Sequence, residues 1–215
     1  MRKTIFVGML LLAGVAGATL TGLATDQVEP AWRGQANTTL QAWSFDTGDN
    51  PGLVTLDENL YGTPSAEVFV PDTGFPKWTY WMASDYSHTG VWRIYEADYL
   101  QLYIPNTRVT SPDSYKEIWL QITYSSGEAG RHPEIQTDPV YTSLTLVKST
   151  ILDSLYYRDV FRIIIEPNPT EEWISIMPRD CVVYIDEIVV DTICIPEPAT
   201  MLILGLGAVL LRKRK

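Results

Sequence analysis

The sequence predicts an all-β fold, an antiparallel β-sandwich of the jelly-roll type, and three observations lead to this prediction. Residues 25–195 are rich in aromatic and β-branched residues, and apolar residues alternate with polar ones over short segments. Clusters of Gly, Pro, Asn and Asp separate these segments. No stretch of ten residues has the periodicity of an amphipathic helix. About ten short strands in one domain favour two packed sheets.

The alternation is clearest in three segments. In residues 99–104 and 118–123, apolar side chains occupy every second position, which predicts strands with one buried face. In residues 160–165, Ile163, Ile164 and Ile165 are consecutive, which predicts burial on both faces. Further strands are predicted near residues 41–46, 67–71, 78–82, 90–96, 142–147, 173–177 and 181–190.

Residues 1–24 have the order of a secretory signal peptide. Arg2 and Lys3 precede an apolar stretch, residues 5–15, and small residues follow it. Cleavage is predicted after Ala18 or after Ala24. An uncleaved first transmembrane helix is the alternative, but the apolar stretch is short for spanning a bilayer. We therefore expect residues 25–195 to be exported.

The predicted domain is strongly acidic. Residues 25–195 contain 10 Lys and Arg against 25 Asp and Glu, a formal net charge of −15, whereas the whole chain has −10. A surface of this sign repels the phosphates of nucleic acids, so no nucleic-acid partner is expected. The charge favours solubility outside the cell but selects no substrate.

An intramolecular disulfide between the two cysteines, Cys181 and Cys194, is not expected, although an exported chain can form one. The intervening residues 182–190 are predicted to form a strand that holds its ends about 30 Å apart at about 3.3 Å per residue, whereas a bridge requires Cα atoms within about 7 Å. A buried Cys181 and an exposed Cys194 in a stalk are expected, with intermolecular pairing open at Cys194.

The carboxyl end of the chain contains a motif, an apolar run and a basic cluster without gaps between them. Pro196, Glu197 and Pro198 precede residues 199–211, which carry no charge, and four basic residues follow: Arg212, Lys213, Arg214 and Lys215. A helix of these 13 residues spans about 20 Å, less than a bilayer core of about 30 Å. The basic cluster is expected to stay cytoplasmic, which places the domain outside. A buried helix of a soluble domain is disfavoured because the run is apolar on all sides.

This tail resembles the PEP-CTERM sorting signal of bacteria that make extracellular polysaccharide. The resemblance covers about 20 residues and rests on Pro196, Glu197 and Pro198 with the apolar run and basic cluster that follow. It implies a membrane-embedded exosortase as partner and cleavage near the motif. It also implies an inner-membrane-anchored precursor with a periplasmic domain, and later transfer to the cell envelope or extracellular matrix. The short apolar run departs from a full bilayer span and predicts temporary membrane residence.

Catalytic motifs are sparse, and no enzymatic activity is predicted. His88 and His132 lie in loop-like sequence and are expected to be surface imidazoles. No metalloprotease motif or nucleophile elbow occurs. Asp186 and Glu187 are adjacent, but neighbours on a strand point to opposite faces and are not expected to share a glycosidase site.

Calcium is the one cofactor that the sequence suggests. Asp46 and Asp49 flank Thr47 and Gly48 in a turn, and calcium prefers such hard oxygen ligands. The alternative is that Asp and Gly are ordinary turn-forming residues. In that case no cofactor is expected.

The domain contains many aromatic residues. The whole chain has 7 Trp and 12 Tyr, and Trp78, Tyr80 and Trp81 are close in sequence. Exposed aromatic faces stack on sugar rings, so Trp78 and Trp81 are candidate carbohydrate-binding residues. On a strand, Trp78 and Tyr80 share one face and Trp81 lies on the other, so packing in the core is the alternative role.

The sequence thus predicts a signal peptide (1–24), an exported β-sandwich domain (25–195) and a sorting tail (196–215). The expected function is that of a non-catalytic surface protein of the cell envelope or extracellular matrix, with exosortase and the membrane as partners. The alternative is a carbohydrate-binding module for envelope polysaccharide, with calcium as a stabilising ion.

Overall fold

The computed structural model describes residues 28–71, 78–106, 114–128, 130–179 and 181–196, and of Pro196 only the backbone. Within these ranges the chain forms twelve β-strands and no helix: β1 (Thr38–Trp43), β2 (Leu56–Asp57), β3 (Ser65–Phe69), β4 (Tyr80–Asp85), β5 (His88–Tyr95), β6 (Tyr99–Pro105), β7 (Ser114–Ser126), β8 (Glu134–Asp138), β9 (Ser143–Ile151), β10 (Tyr156–Ile165), β11 (Glu171–Met177) and β12 (Val182–Pro196).

These strands form two antiparallel sheets. The larger sheet has eight strands in the order β2-β1-β12-β7-β10-β9, with β5 paired to the first residues of β12 and β4 paired to β5. The smaller sheet has four strands in the order β3-β6-β11-β8. The predicted all-β, antiparallel class is therefore confirmed.

Early and late strands of the chain pair in a nested order. Strand β1 pairs with β12, β6 with β11, and β7 with β10. The β7–β12 pair is the longest in register and runs from Val183 opposite Ser126 to Pro196 opposite Ser114. Strand β12 therefore lies inside the larger sheet, held by β7 on one side and by β1 and β5 on the other.

One hydrophobic cluster contains residues from both sheets. In β7, every second residue (Ile118, Leu120 and Ile122) belongs to it. In the smaller sheet, β6 and β11 contribute their own alternate residues: Leu100, Leu102, Ile104, Ile174 and Ile176. The alternation in the sequence thus corresponds to an inward face in each sheet. A second small cluster (Leu40, Ala42 and Val189) has Leu56 packed against it.

All ten predicted strands are present, with shifts at their ends. Two strands were missed, β2 and β8. Strand β2 has only two residues, and β8 (Glu-Ile-Gln-Thr-Asp) lies at the sheet edge and contains just one strongly apolar residue. A strand at an edge needs little apolar sequence because its pairing with β11 is made by backbone groups.

Several predictions fall outside the described residues. These are the signal peptide of residues 1–24, Glu197 and Pro198 of the sorting motif, the helix of residues 199–211, and the basic residues 212–215. In the described part of the chain, no helix is long and apolar enough to cross a membrane.

Candidate functional site

The described chain enters the predicted sorting motif directly from a strand. Ile195 lies opposite Tyr115 and Pro196 opposite Ser114 in the β12–β7 pair. The backbone amide of Cys194 also donates a hydrogen bond to the carbonyl of Asn37, at 3.2 Å. The last described residues before Glu197 are therefore held within the larger sheet.

This arrangement corrects the expected environments of the two cysteines. Both thiols are free, as predicted, but Cys181 is exposed and Cys194 is half-buried. The Cys194 thiol donates to Oδ1 of Asn106 at 3.0 Å, and burial raises its pKa. The prediction of an exposed Cys194 in a stalk was wrong because β12 continues to Pro196 instead of ending near residue 190.

A polar cluster lies in the interior at this same end of the molecule. Lys116 on β7 and Glu172 on β11 both have fully buried side chains, and Nζ lies 3.0 Å from Oε1. Because β7 and β11 belong to different sheets, this ion pair connects the two sheets across the interior. Burial raises the pKa of Glu172, and the proximity of Lys116 offsets only part of that effect.

Two buried asparagines complete the cluster. Nδ2 of Asn106 donates to Oδ1 of Asn168 at 3.0 Å and to the carbonyl of Pro169 at 2.7 Å. The backbone N–H of Asn168 in turn donates to the backbone carbonyl of Ser114 at 2.8 Å. We call Asn106, Lys116, Asn168, Glu172 and Cys194 the tail-end cluster, since β12 leaves the sheet beside them.

His88 is not the surface loop residue predicted from the sequence. It begins β5, its side chain is 16% exposed, and its ring stacks on Tyr156 with centroids 3.6 Å apart. Nδ1 lies 2.8 Å from Asp186 and Nε2 lies 3.3 Å from Asp153. The residues that surround His88 come from β10, β12 and the turn before β10, which no local pattern around residue 88 can reveal.

The two adjacent carboxylates also differ from expectation. A β-bulge interrupts β12 between Ile185 and Glu187, so the simple alternation of side chains does not hold there. Asp186 bonds to His88, and Glu187 lies 2.9 Å from Arg158. Both carboxylates act electrostatically on Arg158. The prediction of strict alternation of side chains was therefore wrong at this point of β12, and the two carboxylates have different partners, His88 and Arg158.

A cleft of about 260 Å³ lies at the end of the molecule opposite the tail. Arg131, His132, Arg179 and the exposed Cys181 are among its lining residues. Nδ1 of His132 lies 2.6 Å from the fully buried Asp159, so His132, like His88, is engaged with a carboxylate. Thiol catalysis needs a base within hydrogen-bonding reach of sulfur, and the contacts that His132 makes are with Asp159 and Tyr124.

The predicted calcium ligands take part in hydrogen bonds within their turn. Asp46 accepts from the hydroxyl of Ser44 at 2.8 Å, and Asp49 accepts from that of Thr47 at 2.7 Å. Within the described ranges, no group of three or more His, Cys, Asp or Glu side chains is arranged to hold a metal ion. Calcium binding at Asp46 and Asp49 stays a prediction.

The two predicted sugar-binding tryptophans have different environments. Nε1 of Trp81 donates to the carbonyl of Phe45 at 2.9 Å, and Gly48 lies so close that a Cβ atom there would be 3.1 Å from the Trp81 ring. Trp81 therefore packs under the turn that contains Gly48. Trp78 is 52% exposed and Tyr80 is 48% exposed. Trp78 is thus more exposed to a ligand than Trp81, which is partly buried.

Arg93 organises the exposed aromatic group. Its guanidinium donates to the carbonyl of Trp78 and lies 6.0 Å from the Trp78 ring. The same guanidinium is 5.4 Å from the ring of Tyr80 and 5.2 Å from that of Tyr95. Its cation–π contacts hold these rings in one patch.

A second aromatic surface, not predicted from the sequence, covers the outer face of the smaller sheet. Phe69 stacks on Tyr99 with centroids 5.2 Å apart, and Tyr103 lies 4.7 Å from Trp173. The row of residues between these pairs is polar: Glu67, Gln101, Ser175 and Gln136. The signal was present in residues 99–104, where Tyr99, Gln101 and Tyr103 alternate with the buried aliphatic residues and must face outward.

The carboxyl-terminal tail matches a known protein family. Comparison of the chain with curated proteins and with solved structures gave no match. A family model for the PEP-CTERM protein-sorting motif matches residues 195–215. The predicted resemblance is thus confirmed: the chain carries a PEP-CTERM protein-sorting motif, which is consistent with an exosortase substrate and implies an exported protein with a membrane-anchored precursor.

Proposed function

We propose that residues 25–195 form a non-catalytic surface domain that its sorting tail delivers to the cell envelope or extracellular matrix. The observation that carries this proposal is the position of the PEP-CTERM motif, residues 195–215, which begins in the last two residues of the final strand of the folded domain. Arg158, His88 and His132 support a structural role for the domain, since each is held in contacts with carboxylates of the fold.

The pairing of β12 limits where exosortase can cleave. A strand inside a sheet has its backbone groups bonded on both sides and does not fit a protease site until it is withdrawn. Residues up to Cys194 have partners on both sides, and Ile195 and Pro196 are still paired with β7 on one side. We therefore place the cleavage point after Pro196, within the segment that the two prolines keep extended.

Mass spectrometry of the protein from its native envelope tests the sorting proposal. The expected mature form ends between Pro196 and Thr200, and any mass attached to that end identifies the anchor. The Glu197→Ala variant should accumulate as the uncleaved precursor. The control variant Glu58→Ala also removes a negative charge, at an exposed position, and should be cleaved like the wild type. A mature outer-envelope form that retains residues 199–215 would contradict the proposal.

We also infer that the two sheets form a β-sandwich of the jelly-roll type. The shared hydrophobic cluster supports two sheets packed face to face. The nested pairing of β1 with β12, β6 with β11 and β7 with β10 supports a chain that wraps as a folded double strand.

Carbohydrate binding is the second candidate function, and the outer face of the smaller sheet favours it. The aromatic pairs Phe69–Tyr99 and Tyr103–Trp173 lie at the two ends of a polar row. Tyr99 and Tyr103 are four residues apart on β6, which is about 13 Å along a strand. Two or three sugar rings span that distance, with apolar faces for the aromatic rings and hydroxyls for the polar row.

Titration with oligosaccharides released from the native extracellular polysaccharide tests this second candidate. Saturable binding is expected, and Trp173→Ala should abolish it while the domain stays folded. Trp78→Ala is the matched control, because it removes an exposed tryptophan from the other aromatic surface. Loss of binding in the Trp78 variant alone would move the site to the Arg93 patch. Absence of binding by the wild type would exclude the function.

Calcium stabilisation is proposed only for the turn that contains Asp46 and Asp49. A chelator should then lower the melting temperature of the wild type but not that of the Asp46→Asn/Asp49→Asn variant. Equal melting temperatures of the wild type with calcium and with chelator would exclude the ion.

A further inference from the structure

The tail-end cluster has an unusual combination of groups for the interior of an exported β domain. The Lys116 ammonium group and the Glu172 carboxyl group are fully buried and only 3.0 Å apart. Beyond this contact, Nζ of Lys116 and both carboxyl oxygens of Glu172 have no hydrogen-bond partner in the described part of the structure. Transferring two charges into such a site costs several kcal/mol per ion before their attraction is counted.

A proton transfer from Lys116 to Glu172 removes both charges. The pKa of Glu172 is raised, first by burial, with partial compensation by Lys116. Burial therefore favours the carboxylic acid form of Glu172. An uncharged amine is a nucleophile, and a carboxylic acid 3.0 Å away can deliver and accept protons.

A carboxamide is held beside this pair. Glu172 on β11 lies directly opposite Ile104 on the neighbouring strand β6. Asn106 is two residues beyond Ile104, so Asn106 and Glu172 lie on one face as diagonal neighbours. Oδ1 of Asn106 accepts from the thiol of Cys194, and Cys194 is the direct cross-strand partner of Lys116. Lys116 and Glu172 both act electrostatically on Cys194, so the carboxamide that Cys194 contacts belongs to the same cluster as the acid and the amine.

The hydrogen bonds of Asn106 suit a reaction at its side-chain carbon. The thiol of Cys194 donates to the oxygen, which draws electron density away from Cγ. Nδ2 is fixed by two acceptors, Oδ1 of Asn168 and the carbonyl of Pro169, which hold the carboxamide in one orientation. A nucleophile, an acid and an oriented acyl group are the parts that acyl transfer needs.

We propose that Lys116 and Asn106 form an intramolecular isopeptide bond, with Glu172 as the group that moves the protons. Nζ of Lys116 attacks Cγ of Asn106, and the amine proton passes to Glu172 as the acid proton of Glu172 passes to Nδ2. The Cγ–Nδ2 bond breaks, ammonia leaves, and an Nζ–Cγ amide remains. One amine and one carboxamide give one substituted amide and one ammonia, so the step needs no oxidant and no other reactant.

The bond would join the end of β6 in the smaller sheet to β7 in the larger sheet. Ser114, the first residue of β7, lies opposite Pro196, where the tail leaves the fold. Force applied through the anchored tail acts on the β12–β7 pair first. A covalent bond at Lys116 keeps β7 attached to the opposite sheet at this point.

The mass of the mature full-length domain tests the proposal directly and needs no variant. The wild type should be lighter than its sequence mass by one ammonia. Trypsin should then fail to cleave after Lys116, and residues 109–131 should appear as a branched peptide joined to residues 94–108. A folded wild-type domain with the full sequence mass and free cleavage after Lys116 would overturn the proposal.

Variants identify each partner. Lys116→Arg and Glu172→Gln should both restore the full sequence mass, whereas Lys148→Arg on the exposed strand β9 should retain the loss of ammonia. Asn106→Asp should still form the bond but lose water in place of ammonia. A branched peptide that contains residues 163–179 would instead assign the acyl group to Asn168 and contradict the choice of Asn106.

Discussion

The interior of the domain differs between its middle and its tail end. In the middle, both sheets contribute aliphatic side chains, such as Leu120 and Ile174, to one cluster. At the tail end, the same two strands carry Lys116 and Glu172, and Asn106 follows β6 beside them. The contacts there are an ion pair and directed hydrogen bonds. The inward faces of the two sheets continue from the middle to the tail end, but their side chains change from apolar to polar.

This difference shows that two kinds of interaction hold the sheets together. Burial of hydrocarbon is non-directional and tolerates small shifts between the sheets. The contacts of the tail-end cluster are directional, and each depends on a specific partner from the opposite sheet. The directional contacts lie where β12 leaves the fold, so they fix the geometry at the point where the tail is attached.

The largest expected effect comes from Glu172→Ala. It removes the buried partner of Lys116, and breaking a buried pair in this way costs about 3–5 kcal/mol of stability. Ile174→Ala, two residues further along β11 in the apolar middle, is the matched control and should cost about 2–5 kcal/mol. Urea unfolding of both variants measures the two values.

The loss of stability should depend on pH for Glu172→Ala, which removes a titratable group, but not for Ile174→Ala. Ile174→Ala removes no titratable group, so its loss of stability should be the same at all pH values. A loss of less than about 1 kcal/mol for Glu172→Ala would show that the Lys116–Glu172 pair does not stabilise the tail end.

A smaller effect is expected for Asp191, which lies on β12 near the same end. Arg33 donates to both of its carboxylate oxygens, at 2.5 and 2.7 Å, yet burial raises the pKa of Asp191 from 3.8 to about 6. The folded state therefore holds this proton more tightly than the unfolded state. The stability that protonation contributes is complete below pH 3.8 and is lost as the pH rises through about 6, a change of about 3 kcal/mol.

Asp191→Asn should remove this dependence on pH. The unfolding free energies of wild type and variant, measured from about pH 4 to pH 7, should diverge most between about pH 4 and pH 6. Other titrating groups are common to both proteins and cancel in the difference. Parallel curves would show that Arg33 compensates the burial of Asp191 completely.

The smallest effect is expected at Cys194. Cys194→Ala removes the hydrogen bond to Asn106 and should cost about 0.5–1.5 kcal/mol, whereas Cys194→Ser keeps a donor at the same place and should cost less. Thermal unfolding under reducing conditions measures both. Equal losses in the two variants would show that the volume of sulfur, and not its hydrogen bond, stabilises this position.

Much of the fold could be predicted from local patterns. The alternation in residues 99–104 and 118–123 corresponds to the inward faces of β6 and β7. The pattern could not show β8, which is short and polar, because its pairing with β11 depends on backbone groups alone. It also could not show the bulge in β12, which changes the direction of Asp186 without any marked change in composition.

The candidate sites were harder to predict than the strands. The sequence suggested Trp78 and Trp81 together, but in the structure Trp81 packs against the turn at Gly48, whereas Trp78 is exposed. It suggested surface positions for His88 and His132, yet carboxylates that are distant in the chain lie beside both rings in space. Such contacts depend on the pairing order of the strands, which a single sequence does not state.

The sequence by itself determined the all-β class, the acidity of the domain and the sorting motif at residues 195–215, because each depends on residues that are adjacent or regularly spaced. Only the tertiary structure decided that Lys116, Glu172 and Asn106 meet in the interior and that β12 holds the chain up to Pro196. The physical reason is that burial and hydrogen bonding act between atoms close in space, and the nested strand order brings distant segments together.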